Sequence, residues 1–353
     1  MVSDRQRGRD LFSLNNMFVL SRIRPAARLG KAFSAALLCL AILVFLPTAI
    51  QAQPINVGYT SRTIFFLPFF VSQKKGFYDT EGIHVNIVYT GSPAVNLQAL
   101  VAGQIQVSAT NPDSIIIFDE KGGDLKAIAG VVNGVAYNLI GRKTFRKIDD
   151  LKGSKIGVAS LVGGPTTFLL EYLRAKGLIY PRDFTLIQIP GGTPARLAAI
   201  ESGAVAAGLL DITNSEIAVD RGFIRLGDVS EVVPKFQFTT INVNPGWAAK
   251  NRTVLTKFLK AHINSMRWIY EHPTDATDFY SEEMGAKQPY AQRGLEYFIK
   301  HKLFPIDGAI DLDGMKANID IQEKLGLIKK PTPDPESYID PTYLKAAQKE
   351  LGM

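Results

Sequence analysis

The sequence predicts an α/β protein built as two parallel-sheet lobes joined by a two-strand hinge, with a cleft between them. Three observations lead there. A β-α-β-α-β order of segments occurs twice, about one hundred residues apart. The two occurrences align without a gap over part of their length. At four places a strand passes into a helix through a small or polar residue followed by proline.

The elements follow in order. Residues 55–60 (INVGYT) form a buried strand pattern, and residues 67–75 (LPFFVSQKK) a helix stopped by Gly76. Residues 85–90 (VNIVYT) make a second strand, 93–102 a second helix stopped by Gly103, and 105–109 (IQVSA) a third strand before a helix opened by Pro112. The same order returns as strand 155–160, helix 165–176 stopped by Gly177, strand 184–189, helix 194–202 stopped by Gly203, and strand 205–210. At an offset of 100, GSPAVNLQALVAGQIQV from Gly91 lies over GGTPARLAAIESGAVAA from Gly191, with Gly91, Leu97, Ala99 and Gly103 meeting identical residues. The match reads either as an internal duplication or as the common look of βαβ units; both give two consecutive α/β lobes. A further strand pattern spans 236–243, followed by helical patterns at 248–271, 273–284, 290–301 and 312–325 and a last short helix near 341–351. The expected division is a first part of lobe one at 53–142, lobe two at 143–235, and a return strand with helices bracing lobe one at 236–353.

Residues 1–52 stand apart. They hold seven basic and two acidic groups, which leaves 33 basic against 31 acidic in the body. A body so nearly balanced excludes the dense basic face of a nucleic-acid binder. At 46% hydrophobic and 21% charged the chain is not disordered. The apolar run 32–50 follows Arg28 and Lys31 and ends before Gln51-Ala52, the order of an export signal cut near Ala52, with a retained membrane anchor as the other reading. The single cysteine, Cys39, lies inside that run, so a processed protein has no disulfide, thiol nucleophile or zinc–thiolate site.

The proline junctions are Ser92-Pro93, Asn111-Pro112, Gly164-Pro165 and Thr193-Pro194, with Leu67-Pro68 a looser case. Helices that start beyond the carboxyl ends of parallel strands present free N–H groups where open α/β sheets bind ligands. The candidate binding residues are therefore those of these loops. After the first strand come Ser61, Arg62 and Phe65, with Arg62 either pairing an acid group or solvated, and Phe65 either stacking on a ligand or packed in the core. Gly91, Ser92, Thr110 and Asn111 offer backbone and side-chain hydrogen bonds. In lobe two, Gly163, Gly164 and Thr166 form a Gly-rich turn into a helix, resembling a small anion nest. Gly192 and Asp211 complete the far wall, Asp211 either holding a ligand or capping the helix after it. No P-loop or GxGxxG follows a strand, which disfavours nucleotides. His84, His262, His272 and His301 show no metal-ligand spacing and no GxSxG occurs, so no catalytic residue, metal or cofactor is expected.

The ordered strings FLPFFVSQKKGFYDTEGIHVNIVYTGSPAVNLQALVAGQIQVSATNPD and DLKGSKIGVAS, followed by GGPTTFLLEYLRAKGL, carry a family resemblance. The chain resembles the periplasmic solute-binding components of ABC importers, within them the nitrate/sulfonate/bicarbonate group related to thiamine-precursor-binding proteins (NMT1/THI5-like, SsuA-like). The resemblance covers roughly residues 54–330. It implies a type II periplasmic-binding fold that closes on one small molecule and then docks on a membrane permease served by an ATPase. The implied ligand contacts match Ser61, Gly91-Ser92, Asn111 and Gly163 to Thr166. Some fold relatives that make the thiamine pyrimidine use cysteine-rich motifs, which the body of this chain lacks. The expectation is a monomeric, exported, non-enzymatic receptor for a small polar or organic anionic solute. An exported enzyme on the same scaffold and a membrane-tethered sensor are the alternatives.

Overall fold

The computed structural model describes residues 54–331 and 333–353, so the export segment expected at 1–52 lies outside the described residues. The first lobe opens with β1 (Ile55–Tyr59), a short 3-10 turn at Ile64–Phe66, α1 (Leu67–Lys74) and α2 (Phe77–Thr80). It continues with β2 (Val85–Tyr89), α3 (Pro93–Val101), β3 (Val107–Thr110), α4 (Pro112–Asp119) and β4 (Lys126–Asn133). The second lobe comprises β5 (Tyr137–Gly141), β6 (Lys155–Val158), α5 (Pro165–Ala175), β7 (Thr185–Gln188), α6 (Gly192–Glu201), β8 (Ala207–Asp211), α7 (Ile212–Asp220) and β9 (Ile224–Asp228). The chain then returns through β10 (Gln237–Val243). The helices α8 (Pro245–Lys250), α9 (Arg252–Glu271), α10 (Pro273–Met284), α11 (Gln288–Lys300), α12 (Leu312–Lys324) and α13 (Thr342–Glu350) follow.

Each lobe carries a five-stranded sheet, ordered β2-β1-β3-β10-β4 and β7-β6-β8-β5-β9. The internal match is visible in the register: Ile55 pairs with Val85 in the first sheet and Lys155 with Thr185 in the second, both parallel and one hundred residues apart. The sheets are not purely parallel as expected. In each, one strand is antiparallel to both neighbours: β10 between β3 and β4, and β5 between β8 and β9. The reason is the crossing itself. Only residues 134–136 separate β4 from β5, a span of roughly 10 Å or a little more. β4 therefore leaves the carboxyl edge of one sheet and β5 enters directly at the carboxyl edge of the other, its first residue, Tyr137, opposite the last residue of β8, Asp211. The return by β10 likewise starts with Gln237 opposite Asn133, the last residue of β4. Both crossings join carboxyl edge to carboxyl edge, so these edges face each other.

The crossing also moves the lobe division. β5 pairs in the second sheet, ahead of the division expected at 142/143, because Tyr137–Gly141 continues the direction of β4 into the other lobe. The C-terminal helices do not all brace lobe one. α9 packs on α1, α2 and α13, with Leu255, Phe258, Leu259, His262, Ile263 and Met266 forming its buried stripe. The α10–α11 hairpin packs on α7 of lobe two as well as on α1, and α12 bridges α4 and β10 of lobe one to α5 of lobe two. One apolar cluster runs through the crossing, where Phe168 of α5 meets Phe236 and Phe238 at centroid distances of 5.4 and 5.9 Å.

Candidate functional site

The strand-to-helix junctions of both lobes meet at a small cavity of about 30 Å³. From lobe one it is lined by Ser61, Phe65, Gly91, Thr110 and Asn111, all expected at the site. From lobe two come Gly192, also expected, together with Tyr137, Ala159, Pro165 and Arg196. The lobes touch around it. The Gly191 amide donates to the Gly91 carbonyl at 3.3 Å, and Thr167 Oγ1 donates to Asp113 Oδ2 at 2.8 Å.

Glycine is what lets lobe two come this close. Gly164 (φ 61°) lies where an added Cβ would sit 3.3 Å from both Asn111 Oδ1 and Pro93 Cγ. At Gly192 (φ 79°) a Cβ would lie 2.6 Å from that of Ser61, well inside contact distance.

The junctions use their residues in several ways. Ser92 caps α3, its Oγ accepting from the Val95 amide at 3.3 Å. Asn111 does not cap α4; its Nδ2 donates to the Phe238 carbonyl of the return strand. α6 starts at Gly192, so Thr193 and Pro194 lie inside its first turn, and Thr193 Oγ1 donates to Asp211. Asp211 is buried and caps α7 through the Asn214 amide at 2.9 Å. Burial pushes its carboxyl up, against hydrogen bonds from Thr193 and Asn214 and the nearby Arg196 charge. Gly163 and Thr166 line a neighbouring pocket of about 400 Å³, which also contains Leu161, Val162 and Lys324. Thr166 Oγ1 is turned inward, donating to the Ser160 carbonyl at 2.6 Å.

The cation at the cavity is not the one the loops suggest. Arg62 is exposed and does not line the cavity, because the chain folds inward only from Thr63 onward. Arg196 of α6 is 2% exposed. Its Nε donates to the Leu209 carbonyl at 2.9 Å, while its Nη1 has no partner. Burial pushes its guanidinium down, opposed by Tyr137 and Asp211, yet arginine keeps its proton at neutral pH. Across the cleft, Thr110 Oγ1 is also buried without a partner. A charged donor from lobe two and a hydroxyl from lobe one are thus both left unsatisfied at one cavity, where an unpaired buried donor costs about 1–3 kcal/mol. An acceptor-rich, negatively charged molecule is the chemical class that would satisfy both.

Phe65 packs rather than offering a free face: it stacks on Tyr137 at 5.1 Å and 18° and lies 4.7 Å from Phe238. Sequence reasoning missed Arg196, Tyr137 and Phe238. For Arg196 a signal existed. The offset of 100 places it over Asn96, which is fully buried and ties Thr90 to Ser108. A polar side chain at that helical position in both halves points to an inward polar role. Among the described residues, no group of three or more His, Cys, Asp or Glu side chains could hold a metal ion, and no helix is long and apolar enough to cross a membrane.

Comparison with known proteins agrees with this geometry. A Bacillus subtilis (strain 168) protein named as an aliphatic sulfonates-binding protein is 25% identical over 312 residues, covering 85% of this chain and 90% of its own. The ligand-binding component of an ABC-type import system from Staphylococcus aureus, solved with zinc bound, is 15% identical with a TM-score of 0.69, covering 84% of this chain and 99% of its own. The periplasmic nitrate-binding protein from Synechocystis PCC 6803 is 14% identical with a TM-score of 0.67, covering 84% and 89%. The fold is accordingly that of periplasmic binding proteins. The family model described as NMT1/THI5 like matches residues 64–276, more than half of the sequence and both sides of the cavity, and the chain belongs to that family.

Proposed function

We propose that this protein is the solute-capturing component of an ABC importer, closing its two lobes on a small anion and handing it to a membrane permease. The observation that carries the reading is the buried Arg196 Nη1, left without a partner at the cavity between the lobes. A buried guanidinium among the residues that line an interlobe cavity favours a negatively charged guest, and a guest that touches both lobes favours their closed arrangement through differential affinity. The names of the sulfonate- and nitrate-binding relatives support an anion. The curated relatives from Bacillus subtilis are named as binding proteins, which supports capture rather than catalysis. The export signal read at 1–52 and the periplasmic relatives support action outside the cytoplasm.

The test is a thermal-shift screen of the protein against nitrate, bicarbonate, methanesulfonate, benzoate, a pyrimidine and zinc chloride. A ligand at a hundred times its Kd adds about 2.7 kcal/mol, a rise in Tm of several degrees. An anion is expected to give that rise, and Arg196→Met to weaken its binding roughly 10- to 100-fold, the loss of one charge-assisted hydrogen bond of about 1.5–3 kcal/mol. Methionine keeps the bulk while removing a desolvated charge, so the variant is expected to fold. Stabilisation by zinc or a pyrimidine alone, or undiminished anion binding by Arg196→Met, would overturn the reading.

A further inference from the structure

The seam between the lobes holds one carboxyl that the anion site does not use. Asp113 is the second residue of α4, and its side chain is fully buried. It lies against lobe two: its Oδ2 accepts from Thr167 Oγ1 of α5, and a Cβ on Gly163 would come within 3.3 Å of the same oxygen. Its Oδ1 has no hydrogen-bond partner. The largest influences on it are burial and hydrogen bonds, with no basic side chain among them. The charged groups of the surrounding elements are engaged elsewhere. Glu171 of α5 is held by Arg174 and by Lys324 of α12. On α12 itself, Lys316 pairs with Asp320, Asp313 with Lys235, and Glu323 with Lys330. At the far end of α4, Asp119 lies near Lys126, while α3 and β10 carry no charged residue. A carboxylate buried here would be an uncompensated charge in a seam that exists only while the lobes are together.

We propose that closing the lobes puts a proton on Asp113, so that capture of the solute is coupled to proton uptake at the seam. Parting the lobes frees Asp113 from Thr167 and the Gly163–Gly164 turn and returns it to water. The closed seam acts in the opposite direction: burial pushes the carboxyl from its ordinary range up to about 7, against the hydrogen bond from Thr167 and weaker help from the amides of Gly164, Ser114 and Asp113. Between those values the open form is ionised and the closed form protonated. The closed-to-open ratio is therefore full below the ordinary carboxylate range, falls by up to roughly tenfold per pH unit, and levels off above about pH 7. The proton removes a negative charge from the seam at the moment a negative guest is enclosed. This inference rests on the two-lobe capture reading for its purpose, though not for its measurement.

The experiment reads closure without any solute. The full chain with Cys39→Ser carries dyes on cysteines at the exposed positions Gln98 of α3 and Ala198 of α6, and energy transfer is recorded from pH 5 to 8.5. The closed fraction is expected to fall as pH rises to 7 in the parent protein. In Asp113→Asn it should stay level, because the amide cannot ionise and its oxygen still accepts from Thr167. A parent protein whose closed fraction ignores pH overturns the proposal, as does an Asp113→Asn variant with an unchanged pH response. Nitrate and methanesulfonate form a separate arm. If neither shifts the transfer while the pH response of Asp113 persists, the solute reading fails and the proton coupling stands.

Discussion

Replacing Gly192 by alanine tests the closed geometry with one methyl group. The added Cβ meets the Ser61 Cβ at 2.6 Å, where ordinary van der Waals contact begins near 3.4 Å. The lobes must therefore part by roughly 1 Å at this rim, or Ser61 must shift with its loop. Two costs follow, and they separate. The left-handed backbone (φ 79°) costs an alanine about 1–2 kcal/mol whether the lobes are open or closed. It lowers Tm by a few degrees and leaves the closure equilibrium alone. The methyl–methylene clash exists only in the closed form, and overpacking of this kind costs about 1–3 kcal/mol, a roughly 5- to 150-fold fall in the closed-to-open ratio. Energy transfer between dyes at Gln98 and Ala198 reads that ratio, and thermal unfolding reads the strain. The second variant, Ser61→Gly with Gly192→Ala, removes the clashing partner. It should restore closure while leaving Tm low, an interaction term that the double-mutant cycle isolates. A Gly192→Ala protein that closes like its parent, or a double variant that stays open, would refute the reasoning.

Two further outcomes concern stability. His262 is fully buried in α9, stacked on Phe69 at 5.0 Å with Nε2 3.3 Å from the Gly130 carbonyl, and desolvation pushes it down to about 4. The unfolded chain takes up this proton near pH 6.5, so the histidine's contribution is present above that pH and is lost as pH falls toward 4, at up to about 1.4 kcal/mol per unit. Urea unfolding at pH 7.5 and 5 should show a smaller acid loss in His262→Phe than in the parent; equal losses would place the proton elsewhere. Gly294 of α11 sits against α7, where a Cβ would approach Thr213 Oγ1 to 2.1 Å. Gly294→Ala should cost about 1–3 kcal/mol in denaturant unfolding, and Thr213→Ala should recover part of it. A neutral Gly294→Ala would remove the tight α11–α7 contact from the account.

The alternation of strands and helices, their glycine stops and proline starts, and the doubling at an offset of 100 were legible in the sequence because each is a local signal. Capping, positive φ and periodic burial depend on residues only a few places apart. The carboxyl-edge loops were found for the same reason, and Ser61, Gly91, Thr110, Asn111 and Gly192 do reach the cavity. What lay beyond local pattern was the identity of the inward cation. Arg62 and Arg196 are both arginines near helix starts, and only the packing of α6 on β8 buries one while the other stays in water. The antiparallel strand in each sheet, the crossing at 134–136 and the attachment of α10 and α11 to lobe two likewise depend on partners far apart in the chain. Asp113 reads as an ordinary acidic residue in a helix's first turn; pressing Thr167 and the Gly163–Gly164 turn against it, fifty or more residues away, is what strips its water and changes its chemistry.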